Sequence, residues 1–267
     1  MTTVGDILDF LETLAPQSMK MDWDNVGLLC GGRNRPVTKV LVALDPFGPV
    51  CREAADWGAE LIVTHHPLIF QPLKAVTEDT ALGRSVQLLC AAGISAINAH
   101  TNLDCAPGGV NDVLAARLGL SEVRVLSPMG LDEQGREWGL LRAGAVTPQP
   151  LTAFLSLVKA RLGCEGLRYV DGGRPVHWVA VGGGACGSEL MDAVQAGCDT
   201  FVTADLSYHQ FLDAKGKGIN LIDAGHFPTE DPVCEKLVQY VSDRFQELAV
   251  TKSTSHREVI QNYVEGE

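Results

Sequence analysis

Short apolar runs closed by polar residues alternate along this chain with stretches whose apolar positions recur every three to four residues. The runs are KVLVALD (39–45), ELIVTHH (60–66), GISAINAH (93–100), VHWVAVGGG (176–184), CDTFVTAD (198–205) and GINLIDAG (218–225). Continuous apolar runs of this length, bounded by Gly or polar residues, predict strands buried on both faces, as in a parallel sheet. Between them the pattern is helical. VGDILDFLETLAP opens the chain with a stripe of Ile7, Leu8, Phe10, Leu11 and Leu14. GRSVQLLCAAG (83–93) precedes the third run, and GGVNDVLAARLGL (108–120) follows it, with Gly119 predicted at the helix end. Residues 232–249, PVCEKLVQYVSDRFQELA, place Val233, Leu237, Val238, Val241 and Phe245 at helical spacing.

The alternation occurs twice. AADWGAELIVTHH (54–66) is similar to AVQAGCDTFVTAD (193–205), and further on GISAINAH is similar to GINLIDAG. Each half reads strand, helix, strand, helix, strand, which predicts an α/β fold of two similar, duplicated lobes. The segment 121–150, with Pro, Gly and mixed charge, is the natural crossing between them. The predicted division is a first lobe of residues 1–125, completed by the C-terminal helical region 232–267, and a second lobe of 126–231. The terminal Glu-Gly-Glu is expected to fray.

Composition narrows the class. The 267 residues are 46% hydrophobic and 20% charged, ordinary globular values. A net charge of −12 argues against a nucleic-acid partner, because there is no basic surface to grip a phosphate backbone. An anionic substrate would need a local positive centre. The first residues carry acids and do not resemble a signal peptide, and no apolar run is long enough to span a membrane. The eight cysteines are scattered without a CxxC pair and mostly lie in apolar surroundings, which suits a reducing compartment. The expected location is cytoplasmic.

Candidate chemistry gathers where the predicted strands end, the place where open α/β sheets collect ligands. LIVTHHP releases His65 and His66, INAHTNLD releases His100 and Asp104, LIDAGHFPTE releases His226 and Glu230, and FVTADLSYHQ releases Asp205 and His209. Adjacent strand residues point to opposite faces, so His65 and His66 serve one site only if the backbone turns there, and Pro67 fits such a turn. The plain alternative is one core and one exposed histidine. Four of the seven histidines fall just past strand ends. Imidazoles with carboxylates suit Zn, Mn, Fe, Co or Ni, whereas Ca and Mg prefer oxygen alone. Three histidines, an aspartate and a glutamate exceed one tetrahedral ion and suit two, leaving a positive pocket able to hold an anion and activate water.

WDNVGLLCGG, LIVTHHPLIFQPLK, AHTNLDCAPGGVNDVLA and GINLIDAGHFPTE resemble the NIF-three-like family, whose members are labelled GTP cyclohydrolase one type two homologues. The resemblance runs from Trp23 to Glu230 and is weakest across 121–170. It implies two α/β lobes with a dinuclear metal site in the cleft between them, in the short form without an inserted domain, assembled as a ring-shaped homohexamer. It further implies His65, His66, Asp104, His226 and Glu230 as metal ligands for two divalent ions per chain, with Glu230 bridging. His66 and Asp104 would favour one ion, His65 and His226 the other. His100 would be the general base or support a ligand, and Trp23, Asp24 and Asn25 would shape the cleft. Asp205 and His209 match a D-x-x-x-H element of the family, though a helix cap and a surface histidine account for them equally.

One motif competes. GGGACG (182–187) satisfies G-x-G-x-x-G after a strand, with Asp205 placed as a ribose-binding acid would be. The bare motif is weak, and a tight turn or a phosphate-cradling loop explains it as well. Two function classes follow: a metal-dependent hydrolase acting on a nucleotide or related phosphorylated compound, and a non-enzymatic metal-binding, metal-delivery or regulatory interaction protein.

Overall fold

A computed structural model describes residues 1–263, so the expected fraying of the terminal Glu-Gly-Glu lies outside the described residues. The chain forms two compact units, Met1–Ala106 with Val233–Arg257, and Pro107–Pro232 with residues 258–263. Residue 125, the division expected from sequence, lies inside a strand of the second unit.

The first unit begins with α1 (Val4–Leu14), β1 (Gly27–Cys30), β2 (Lys39–Ala43), α2 (Gly48–Trp57), β3 (Leu61–Thr64), α3 (Ala81–Ala92), β4 (Ser95–Asn98) and α4 (Thr101–Cys105). The second holds α5 (Val110–Leu118), β5 (Ser121–Leu126), β6 (Gly130–Leu131), β7 (Glu137–Trp138), β8 (Leu141–Gln149), α6 (Leu151–Leu162), β9 (Arg168–Val170), β10 (Val176–Val181), α7 (Leu190–Gln195), β11 (Thr200–Thr203), α8 (Tyr208–Lys217), β12 (Asn220–Asp223) and α9 (His226–Glu230). The chain then returns to the first unit with α10 (Pro232–Arg244) and β13 (Ala249–Lys252).

In the first unit, β2, β3 and β4 pair in parallel, with β1 antiparallel on β4 and β13 parallel on β2. The apolar runs are buried as predicted for a sheet covered on both faces: Leu41, Val42, Leu61, Ile62, Val63 and Ile97 are each at most 1% exposed. In α1, Thr3 and Asp6 form a reciprocal capping box, and Ile7, Leu8 and Leu11 turn inward. Phe10 meets Phe245 edge to face at 5.7 Å.

The second unit has a six-stranded sheet ordered β5-β8-β10-β11-β12-β9, in which β10, β11 and β12 are parallel and the flanking pairs antiparallel. Here the sequence reading is corrected. The stretch 121–150 is not a crossing segment but two sheet strands and the small β6–β7 hairpin. The exposed face of β5 explains its polar sequence, since most of that strand faces solvent. Gly119 takes the left-handed conformation, φ +75°, just past α5, where its amide closes the helix. Arg142 is 2% exposed in this unit, held by two bonds to Asp112 and by the carbonyls of Gly139 and Leu141.

The C-terminal helix also ends earlier than its periodicity predicts. Phe245 still packs inward, but α10 stops at Arg244, and residues 249–252 cross to pair with β2. Four residues of mixed character carry too little periodicity to announce a strand. None of the eight cysteines forms a disulfide. No helix among the described residues is long and apolar enough to cross a membrane.

Candidate metal centre

The parallel register explains how two consecutive histidines face one place. Beyond Thr64 the chain keeps bonding to the end of β2 and the residue after it: the His65 amide donates to Ala43 O at 3.3 Å and that of His66 to Leu44 O at 2.9 Å. The Thr64 hydroxyl then donates to His66 O at 2.7 Å, closing the turn that Pro67 continues. Strand alternation ends there, and the two rings lie 5.0 Å apart. His65 is wholly buried; the His66 side chain is 18% exposed.

His100 stands at the N-terminus of α4, just past β4, with its ring 5.2 Å from His65 and 5.5 Å from His66. Ligand atoms of these three histidines lie within 4.8 Å of one another, close enough to hold an ion together. On α4, Asp104 is 7% exposed, and its Oδ1 lies 3.6 Å from His65 Nε2. The imidazole of His65 thus stands beside Asp104.

Each ring is oriented from behind. His65 Nδ1 lies 2.9 Å from Ala99 O, His66 Nδ1 2.7 Å from Asp45 Oδ1, and His100 Nδ1 2.8 Å from Asp24 Oδ1. A carbonyl or carboxylate at Nδ1 requires the proton there, which places the lone pair of the neutral ring on Nε2. This is how proteins prepare metal-binding histidines. Asp24 is buried and also accepts from the Thr101 amide at 3.0 Å and hydroxyl at 2.6 Å, so it caps α4 as well. Burial opposes its ionisation, yet the bonds from His100 and Thr101 prevail and hold its carboxyl well below the usual carboxylate range. Asp24 and Asn25 thus have definite tasks: Asn25 Nδ2 donates to Ile69 O at 2.6 Å and ties down the loop after the histidines.

Two exposed aromatics border this cluster. Trp23 and Phe70 meet edge to face at 5.8 Å, and each lies 6.3 Å from the His100 ring. Next to Asp45 opens a largely apolar cavity of about 720 Å³ lined by Phe47, Leu68, Phe70 and Leu73, with Lys74 the cation among its lining residues. That volume lies within the range of small-molecule sites.

In the second unit, β11 and β12 end beside each other. His226 opens α9, and its Nδ1 lies 2.7 Å from Asp205 Oδ2. Asp205 follows β11 with φ +54°, a left-handed position that costs a non-glycine residue about 1 kcal/mol. It does not cap a helix; Ser207 caps α8 in a box with Gln210. His209 lies exposed on α8 against Tyr208. Four residues after His226, and so on the same helical face, Glu230 is 4% exposed with Oε2 2.9 Å from His226 Nε2.

The glycine-rich segment serves this pair. A Cβ on Gly184, which has φ +63°, would stand 2.1 Å from Glu230 Oε1, and one on Gly183 would stand 3.2 Å from Glu230 Cγ. Its amides are taken: Gly182 donates to Val202 O, Gly183 to Asn111 Oδ1, Gly184 to Thr229 Oγ1 and Cys186 to Thr203 Oγ1. The segment is a seat for a carboxylate side chain. These four bonds leave little of it to cradle the pyrophosphate of a dinucleotide or another phosphate group.

Sequence reasoning missed Asp45 and His256. Asp45 follows its strand as the histidines follow theirs, but Asp before Pro reads as a turn. His256 has no signal at all, yet its Nε2 lies 3.3 Å from Asp45 Oδ2. Burial pushes the thiols of Cys164 and Cys198 up to about 11, so neither is an ionised nucleophile near neutral pH. The donor set fits a transition metal or zinc: imidazole nitrogens with fixed tautomers and buried carboxylates.

Known proteins are similar over nearly the whole chain. A protein of Clostridium perfringens named GTP cyclohydrolase 1 type 2 homolog is 37% identical over 243 residues, covering 90% of this chain and 92% of its own. One of the same name from Streptomyces coelicolor is 38% identical over 242 residues, 88% of this chain and 84% of its own. The crystal structure of a Bacillus cereus protein related to NIF3 superposes with a TM-score of 0.90 at 26% identity, over 98% of this chain and 99% of that one. The pattern of the Duf34/NIF3 (NGG1p interacting factor 3) family matches residues 2–258, and the chain belongs to that family.

Proposed function

We propose that the chain binds two divalent ions, drawn from Zn, Fe, Mn, Co and Ni, and uses them to hydrolyse a nucleotide or a related phosphorylated compound. The observation that carries this reading is that four imidazoles, His65, His66, His100 and His226, each set Nδ1 against a carbonyl or carboxylate oxygen, which turns Nε2 away from that oxygen. His65, His66, Asp104, His226 and Glu230 are the proposed ligands, Glu230 serving both ions. The 3.6 Å approach of His65 to Asp104 supports placing these two on one ion. When bound, such ions supply Lewis acidity and lower the pKa of water.

The chain's own residues do the rest. His100 takes the proton of the attacking water, its ring held in direction by Asp24 behind it. Trp23 and Phe70 offer ring faces and edges to a planar base, and the adjacent apolar cavity excludes water from it. The names carried by the relatives support a nucleotide as substrate.

The test is turnover of a nucleotide panel by metal-reconstituted protein, alongside His100→Ala. That variant should keep its metal content and slow turnover by roughly 10²–10⁴-fold. Wild-type protein with both ions bound that turns over no nucleotide would end the hydrolase reading. The proposed homohexamer is checked by light scattering; a concentration-independent mass of 28.6 kDa would contradict it.

A further inference from the structure

The carboxylate behind His66 is itself held by a second imidazole from the far end of the chain. Asp45 Oδ1 receives Nδ1–H of His66 at 2.7 Å, and its Oδ2 lies 3.3 Å from His256 Nε2. The Asp45 backbone amide donates to His256 Nδ1 at 3.2 Å. That bond requires a lone pair on Nδ1, so the proton of neutral His256 is on Nε2 and is donated to Oδ2. Both carboxylate oxygens and the amide of Asp45 are therefore fixed by imidazoles, and the ring of His256 is backed by Phe47 at 5.0 Å.

The chain invests a good deal of structure in bringing His256 there. β13 pairs in parallel with β2, and the Ser253 amide extends that pairing to Val42 O at 2.7 Å. Glu53 on α2 then clasps the next turn, accepting from the Ser253 hydroxyl, from the Thr254 amide and hydroxyl at 2.9 Å each, and from the Ser255 amide at 3.1 Å. His256 follows directly.

We propose that His256 is a positioning residue for the metal site, acting through Asp45 to hold the tautomer and direction of His66, so that the C-terminal segment 249–256 is a working part of the centre. The proposal rests on His66 being a ligand. If His256 merely anchored the last strand, its loss would lower stability and leave His66 as it was.

The experiment compares His256→Ala and His256→Gln with the wild type. Gln can still donate from Nε2 to Asp45. Co²⁺ titration followed by its visible absorption should show His256→Ala weakened by roughly 10–100-fold, the effect usual for such supporting partners, with His256→Gln close to wild type. In metal-free protein, long-range proton–nitrogen NMR should find His66 protonated on Nδ1 in wild type and His256→Gln, and as a tautomer mixture in His256→Ala. Unchanged Co²⁺ affinity and an unchanged His66 spectrum in His256→Ala would overturn the proposal. So would equal loss in both variants, which would make His256 a packing element. If wild-type protein binds no Co²⁺, the metal reading fails, and the His66 tautomer by itself decides whether His256 sets it.

Discussion

Replacing Gly184 by Ala separates a carboxylate seat from an ordinary tight turn. Two costs are expected. The left-handed conformation at φ +63° disfavours a side chain by about 1–2 kcal/mol. The added methyl would also stand 2.1 Å from Glu230 Oε1 and 3.1 Å from His226 Nε2, well inside van der Waals contact, so Glu230 must swing by about 1 Å or the loop must open. Total destabilisation should reach about 2–4 kcal/mol, within the range seen for overpacking added to backbone strain. Gly197→Ala is the control, since Gly197 has φ +77° and no atom within 4 Å of the place its new methyl would take; it should lose only the conformational part. Urea unfolding gives the stabilities, and elemental analysis after dialysis against a Zn²⁺ buffer gives the metal content. Gly184→Ala should stay folded yet retain clearly less metal than Gly197→Ala. Equal metal content in the two variants would refute the role assigned to Glu230.

The clasp made by Glu53 gives a pH dependence with a definite sign. Burial opposes its ionisation, but bonds from Ser253, Thr254 and Ser255 overcome it and lower its pKa from 4.5 to about 2. The stabilisation is thus complete above pH 4.5 and fades as pH falls towards 2. The full shift would correspond to about 3 kcal/mol, and solvent screening at this partly exposed group reduces it to about 1. Glu53→Gln should lose that much at pH 7 by urea unfolding and differ little from wild type near pH 2; a constant difference across that range would remove the clasp from the account. Arg142→Ala should cost about 3–5 kcal/mol, because Asp112 loses its charged partner and two carbonyls lose their donors. A loss below about 1 kcal/mol in the same assay would contradict that.

Much of this arrangement is legible in the sequence because it is local. A strand end followed at once by His65 and His66, or by His226 and then Glu230 one helical turn later, needs only the strand period and the helix period to interpret. The parallel cores of both sheets follow from continuous apolar runs in the same way. What escaped depends on partners far apart in the chain. Asp45 acquires meaning only when β2 lies beside β3, and His256 only when four unremarkable residues add a strand about 200 positions downstream. The strand β5 read as part of a linker because solvent exposure removes the apolar pattern that marks the other strands.

The central claim is that prepared imidazoles and buried carboxylates hold a pair of ions, and elemental analysis of gently purified protein tests it most directly. Zn, Fe, Mn, Co or Ni should be found at about two ions per chain, falling to one in His65→Ala and to none in Glu230→Ala if Glu230 serves both. A folded wild-type protein that contains no such metal and takes none up on reconstitution would contradict the account.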